Sequence, residues 1–364
     1  MSRSAAVRTA PALEARAVTK HFPVHQGVRT ALLRQRSAVH AVDDVSLTVP
    51  DAGILAIVGE SGCGKSTLAR MLARVVLPTS GEVLLRGVPT SAGSRRDYAR
   101  TVQMVLQDPF SSLNPTHTVR YHLARPLQLH GTPGNQTLDA AIDQLLDRVA
   151  LTPAREFAAK YPHELSGGQR QRVAIARALA VQPKVLIADE PVSMLDVSIR
   201  LGVLNLLADL RDTEQLTIAY ITHDIASARY LADEVAVMYA GRLVETGPAA
   251  DVTDAPQHPY TQLLLAAAPD PDRAEPPSLQ GRGAPPSLVS PPSGCRFHPR
   301  CPFVMDVCAR QAPPAFETGP GHRSACWLHA PQESSQAPTS QPHTETNQAD
   351  GREPGTDPAG RSVT

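Results

Sequence analysis

The stretch Gly59-Glu60-Ser61-Gly62-Cys63-Gly64-Lys65-Ser66-Thr67 places two glycines, a lysine and a hydroxyl at the spacing G-x-x-x-x-G-K-S, whose chemistry is phosphate binding. Glycines let the backbone curl so that successive N–H groups point at a β-phosphate, and a following helix adds the positive end of its dipole. Lys65 would bridge β- and γ-phosphates, Ser66 would ligate Mg²⁺, and Thr67 would hydrogen-bond the α-phosphate of a nucleoside triphosphate.

Further chemistry lies downstream. An apolar run over 185–188 ends in Asp189-Glu190, and as a buried parallel strand it sets both carboxylates at its C-terminal edge beside the loop. There Asp189 would hold Mg²⁺ and Glu190 would act as general base on the attacking water. The apolar run 216–222 ends in His223-Asp224, where a histidine can donate to a γ-phosphate, although alone such a histidine is more often structural. Gln107 follows a strand-like run, 102–106, and by itself reads as a solvated turn residue before Pro109. Phe22 has a π face that an adenine ring could stack on, but a lone phenylalanine is more often core. Leu165-Ser166-Gly167-Gly168-Gln169 opens a strong helix over 170–179 and gives a second anion-binding helix start; without the first motif it is a capped helix. Ser193-Met194-Leu195-Asp196 forms a turn before a helix spanning about 198–211.

Positioning these groups takes a strand before the loop, 53–58, and a helix after it, 68–73. Partly alternating runs at 18–22, 41–49 and 81–85 predict an antiparallel β layer flanking the nucleotide. Helical patterning over 138–151 predicts an inserted helical subdomain at about 108–165, and 234–239 and 242–246 are two further strands around the Ala240-Gly241 turn. Strands alternating with helices mark an α/β core.

The 364 residues suffice for two or more modest domains, and 42% hydrophobic content suffices for a core. With 35 basic and 35 acidic residues the net charge is zero, which argues against bare nucleic acid as the main partner. The sequence has no apolar window long enough to span a membrane and no signal-peptide core at its start, so a cytosolic chain with reduced thiols is expected.

Composition changes after Thr246: 20 of the 34 prolines lie from Asp251 onward, so few packed strands or helices are expected there. A short helix is predicted over 260–267, a linker over 269–292 and a disordered tail from about Pro331. Cys295-x5-Cys301-x6-Cys308-x17-Cys326 holds four of the five cysteines. Four thiols suit an iron–sulfur cluster or a zinc site, and free thiols are the third reading; the lack of a C-x-x-C pair counts against a zinc ribbon. His298 and His322 read as nearby loop residues. Cys63 is a small residue that fits its loop, where the helix N-terminus lowers a thiol's pKa.

The order and spacing of Gly59 to Thr67, Gln107, Leu165 to Gln169, Asp189-Glu190, Ser193 to Asp196 and His223 resemble the ATP-binding cassette (ABC) ATPases over about Leu13 to Thr246. Met194 stands where many relatives carry alanine. The resemblance implies an ABC-type P-loop α/β domain with the antiparallel and helical subdomains above, and two cassettes joined head to tail. The signature Ser166, Gly167, Gly168 and Gln169 then serves the other chain's ATP, with Ser166 and Gly168 acting in trans. Gln107 would sense Mg²⁺ and the attacking water, His223 would grip the γ-phosphate, Asp196 would cross the interface, and Phe22 takes the place of an adenine-stacking aromatic.

Gln107-Asp108-Pro109-Phe110-Ser111-Ser112-Leu113-Asn114-Pro115 and His258-Pro259-Tyr260-Thr261 are similar to the dipeptide/oligopeptide importer branch, specifically its second, "F-type" ATPase subunit; nickel importers share these features. This implies a related D-type ATPase partner, two membrane-spanning permease subunits, an extracytoplasmic substrate-binding protein and a place on the cytoplasmic face of the membrane. It also favours a [4Fe–4S] cluster on Cys295, Cys301, Cys308 and Cys326. The domains expected are a leader (1–12), the ATPase (13–250), a cysteine-containing extension (251–330) and the tail (331–364). A soluble cassette ATPase acting on ribosomes or DNA is the rival reading, but such proteins carry paired cassettes or a long coiled coil, and neither is present.

Overall fold

The computed structural model describes residues 11–24, 37–132, 134, 136–267 and 283–331. Residues 1–10 of the expected leader, most of the 269–292 linker and the tail after Pro331 lie outside the described residues; Ala12, expected in the leader, is buried and donates to the Val49 carbonyl at 3.1 Å.

Strands β1 (Leu13–Pro23), β2 (Ala38–Val49), β3 (Ile54–Val58), β4 (Ser80–Leu85), β5 (Val88–Pro89) and β6 (Val102–Val105) precede β7 (Val185–Asp189), β8 (Thr217–Thr222), β9 (Glu234–Tyr239) and β10 (Arg242–Pro248). β1, β2, β4 and β5 form the expected antiparallel layer in the order β2-β1-β4-β5. β6, β7, β8, β3 and β9 lie side by side and parallel, and β10 adds antiparallel to β9. Every residue of β3, β7 and β8 is buried, as strands covered on both faces require.

β3 shows how the two-residue period divides the core. Ile54, Ala56 and Val58 pack with the buried face of the helical region, whereas Leu55 and Ile57 pack with Leu13, Val42 and Val45 of the antiparallel layer and with Leu68 and Leu72 of helix α1 (Lys65–Leu72). Register then aligns the strand ends: Val58 pairs with Thr222, Asp189 with Ile221, and Val105 with Ala188. Whatever follows β3, β6, β7 and β8 emerges along one edge.

The helical insertion contains α2 (Val119–His130), α3 (Leu138–Arg148) and α4 (Ala154–Ala159). Thr118 and Thr137 cap α2 and α3 by accepting from the backbone N–H of Tyr121 and Ala140. Each helix buries an apolar stripe, with Val119, Leu123 and Leu127 on α2 and Ile142, Leu145 and Leu146 on α3. Burying one such side chain contributes about 1.5–3 kcal/mol. Helix α5 (Gly167–Leu179) leads to β7, and α6 (Val197–Glu214) leads to β8. Among the described residues no helix is long and apolar enough to cross a membrane.

The proline-rich end is more ordered than its composition predicts. After α7 (Pro259–Ala266) and α8 (Asp306–Arg310), strands β11 (Phe316–Gly319) and β12 (His322–Ser324) join the parallel sheet through β10, giving the order β11-β12-β10-β9-β3-β8-β7-β6. The prolines fall outside the ladder positions, so they do not interrupt it. His322, expected in a loop, is a buried strand residue whose Nε2 lies 2.7 Å from Glu245 Oε1. Glu245 also accepts from the backbone N–H of Gln257 (2.7 Å) and His258 (2.9 Å), and His258 Nδ1 accepts from Tyr260 N (3.0 Å) to cap α7. Tyr239, Tyr260 and Phe297 pack edge-on and tilted around this corner, with ring centroids 4.5–5.5 Å apart.

Candidate active site

A cleft of about 410 Å³ is lined by Phe22, Val39, Ala41, Ser61, Gly62, Gly64, Lys65, Ser66, Thr67, Gln107, Glu190 and Leu288. The loop after β3 forms its floor. Gly64 adopts φ +108°, and a Cβ there would lie 2.0 Å from the Ala41 carbonyl oxygen, so only glycine fits. Gly62, at φ +81°, would carry a Cβ with no heavy atom within 4 Å. Lys65 is buried and donates to the carbonyls of Gly59 (2.7 Å) and Glu60 (3.0 Å).

Glu190 gathers the other groups. Gln107 Nε2 donates to its Oε2 at 3.0 Å, His223 Nδ1 lies 3.2 Å from the same oxygen, and Lys65 Nζ is 4.0 Å from Oε1. Glu190 itself sits at φ +47°, a conformation uncommon for a residue with a side chain. Its N–H donates to Ile221 O at 2.9 Å, and Ser193 donates to its carbonyl through Oγ at 3.0 Å, which holds the turn.

Asp189 accepts from Ser66 Oγ at 3.1 Å. Burial pushes the Asp189 carboxyl above the usual range; the Ser66 bond opposes that and the Glu190 charge adds to it. A hydroxyl and a carboxylate side by side, beside a loop that would present phosphate oxygens, are the hard oxygen donors that Mg²⁺ takes, and the site fits that ion.

Phe22 is 38% exposed at the cleft rim rather than core, with Lys20 Nζ 5.2 Å from its ring centre. Ser166 caps α5: its Oγ accepts from Gln169 N at 3.3 Å while Gln169 Oε1 accepts from Ser166 N at 2.9 Å. Gly168 packs under Ile199, where a Cβ would come within 2.2 Å of Cγ2. None of Ser166, Gly167, Gly168, Gln169 and Asp196 lines the cleft; Ser166 and Asp196 are exposed, and the Asp196 side chain makes no capping bond.

Residues 42–193 match the family model described as ABC transporter, and residues 244–308 match that described as oligopeptide/dipeptide transporter, C-terminal region. The oligopeptide transport ATP-binding protein AppF of Bacillus subtilis is 42% identical over 325 residues, covering 87% of this chain and 97% of that protein. The di/tripeptide transport ATP-binding protein DppF of Pseudomonas aeruginosa is 43% identical over 306 residues, covering 83% and 93%. This chain belongs to the ATP-binding proteins of the oligopeptide/dipeptide ABC transporter family. It is an ATPase of the cassette type. Its fold is similar to the dimeric post-hydrolysis state of the cassette MJ0796 bound to ADP and Pi, with a TM-score of 0.56 and 27% identity over 65% of this chain and 98% of that one.

Two expectations about the cassette's cysteines are corrected. Cys295 N donates to Cys308 O at 2.8 Å, and Cys295, Cys301 and Cys308 all lie near enough to Cys326 to act on its thiol. Yet among the described residues no group of three or more His, Cys, Asp or Glu is arranged to hold a metal ion, so the [4Fe–4S] cluster lacks support. Burial pushes Cys295 and Cys326 each up to about 11, with neighbouring thiols adding to the shift. Cys63 likewise is buried and shifted up by desolvation, which outweighs any effect of the α1 N-terminus.

Sequence reasoning missed several residues at this site. Leu288 lines the cleft, and its carbonyl accepts from His40 N at 2.8 Å. Tyr260 Oη accepts from Glu60 N at 2.8 Å, and Arg300 pairs with the Glu60 carboxylate. The only signal for Tyr260 was its place in the His258-Pro259-Tyr260 run; for Leu288 and Arg300 there was none.

Proposed function

We propose that this chain is the F subunit of a peptide importer, F being the subunit letter in the names AppF and DppF. In this reading 13–250 is the ATPase body and 251–330 its extension, and the chain acts on the cytoplasmic face of a membrane with a D-type ATPase and two permease subunits that an extracytoplasmic binding protein supplies with di- and oligopeptides. The convergence of Gln107, His223 and Lys65 on Glu190 at the edge of the phosphate loop carries the proposal.

Within the site, the backbone of Gly59 to Thr67 and Lys65 bind the triphosphate, and Phe22 stacks on its base. Ser66 and Asp189 hold Mg²⁺, which supplies neutralisation of the phosphate charge. Glu190 accepts the proton of the attacking water, Gln107 orients that water, and His223 donates to the γ-phosphate. Ser166, exposed, together with Gly167, Gly168 and Gln169, all outside their own cleft, closes over the ATP of the partner cassette, and the exposed Asp196 meets the partner across the interface. ATP favours the closed pair only through contacts absent from the open one, so closure and hydrolysis alternate.

The test is uptake of a labelled di- or tripeptide by cells lacking this chain and complemented with wild type or Glu190→Gln. Uptake restored by wild type alone supports the reading. Restored nickel uptake with no effect on peptide overturns the substrate assignment.

A further inference from the structure

Glu60, the second residue of the phosphate loop, has its polar groups taken on three sides. Its N–H donates to Tyr260 Oη (2.8 Å), its carbonyl accepts from Lys65 Nζ (3.0 Å), and its carboxylate receives Arg300 Nη1 at 3.1 and 2.9 Å. Two of the three partners come from the C-terminal extension, 200 and 240 residues away in sequence. Neither is free to drift. Tyr260 is fully buried against Tyr239 and Phe297, and Arg300 is buried with its guanidinium 5.8 Å from the Tyr239 ring centre. Arg296, four residues before Arg300, donates to the Ala240 carbonyl and to Asp43, anchoring the same segment to the turn after β9 and to β2.

This arrangement has an electrostatic consequence. A triphosphate brings several negative charges to the loop, and the Glu60 carboxylate, which lines a neighbouring cavity rather than the nucleotide cleft, is a like charge on that same loop. An arginine paired with that carboxylate cancels the repulsion and fixes the loop geometry at once. We propose that Arg300 is a positioning residue for nucleotide binding, through which the C-terminal extension sets the ATP affinity of the phosphate loop, with Tyr260 as its second hold. The inference rests on the reading of Gly59 to Thr67 as the nucleotide site.

The experiment measures the affinity of the full-length chain for a fluorescent ATP analogue, together with KM and kcat for ATP, in wild type, Arg300→Ala, Arg300→Lys, Tyr260→Phe, Glu60→Gln and the Glu60→Gln/Arg300→Ala pair. Arg300→Ala is expected to weaken binding and raise KM about tenfold while kcat changes less than about twofold, as removal of one partner of a half-buried charge pair implies. Arg300→Lys recovers most of the affinity, and in the Glu60→Gln background Arg300→Ala adds less than about twofold, because no carboxylate is left unpaired. A lower melting temperature and kcat with affinity and KM unmoved would reduce Arg300 to a structural role and overturn the proposal. Should Arg300→Ala fail to fold, Tyr260→Phe decides: it keeps the buried ring, so wild-type affinity in that variant sinks the idea. If wild type and Lys65→Ala bind the analogue equally, the nucleotide reading itself fails, an outcome distinct from the others.

Discussion

Gln107 Nε2 donates to Glu190 Oε2 at 3.0 Å, joining the end of β6 to the end of β7 across 83 residues of sequence. His223, after β8, reaches the same oxygen. A carboxylate so addressed is oriented from two strands, and replacing its charge while keeping its shape isolates the proton-accepting role. Glu190→Gln is therefore expected to lower phosphate release at least about 100-fold, the usual worth of a general base, with ATP still bound. Equal hydrolysis by mutant and wild type would remove Glu190 from that role.

Lys65 makes a different prediction, because its ammonium group touches loop carbonyls and lies next to where phosphate charge must sit. Lys65→Ala should weaken ATP binding itself by about 10- to 100-fold, the range expected for charge-assisted bonds. Calorimetric titration with ATP checks this, and unchanged affinity refutes the phosphate contact.

The loop glycines differ in what they tolerate. At Gly62 a methyl meets only open space, so Gly62→Ala pays for its left-handed backbone alone, about 1–2 kcal/mol. At Gly64 the same methyl would also strike the backbone carbonyl of Ala41, and the main chain must move. Gly64→Ala should destabilise the fold more than Gly62→Ala, which thermal melting of the two variants compares directly.

His258 gives a pH dependence. It is fully buried and neutral, and desolvation lowers its pKa to about 3. The unfolded chain takes up a proton near pH 6.5, whereas the folded chain does not until about pH 3, so the contribution of His258 is complete above about pH 6.5 and is lost as pH falls through that window, at up to about 1.4 kcal/mol per pH unit. His258→Asn keeps an acceptor at the α7 N-cap but removes the titration. Its stability should fall less steeply than wild type between pH 6 and 4 in denaturant titrations, and identical slopes refute the assignment.

The sequence alone determined the local pieces: the glycine loop between β3 and α1, the carboxylates ending β7, the capped start of α5 and the two-residue period of β1 and β2. Each is legible because backbone conformation, capping and one-sided burial constrain residue type within a few positions of the chain. The buried, parallel setting of β7 followed from its unbroken apolar run, and with it the placing of Glu190 at a C-terminal strand edge; the order of β6, β7, β8 and β3 that brings Gln107 and His223 to the same edge came from the structure. Only the tertiary structure decided the rest. Strands β11 and β12 extended the sheet from a proline-rich segment, Glu245 gathered Gln257, His258 and His322, and Tyr260 and Arg300 closed on Glu60. These partners lie far apart in sequence and are chosen by register and by which polar groups burial leaves in need of a bond, neither of which composition or spacing encodes.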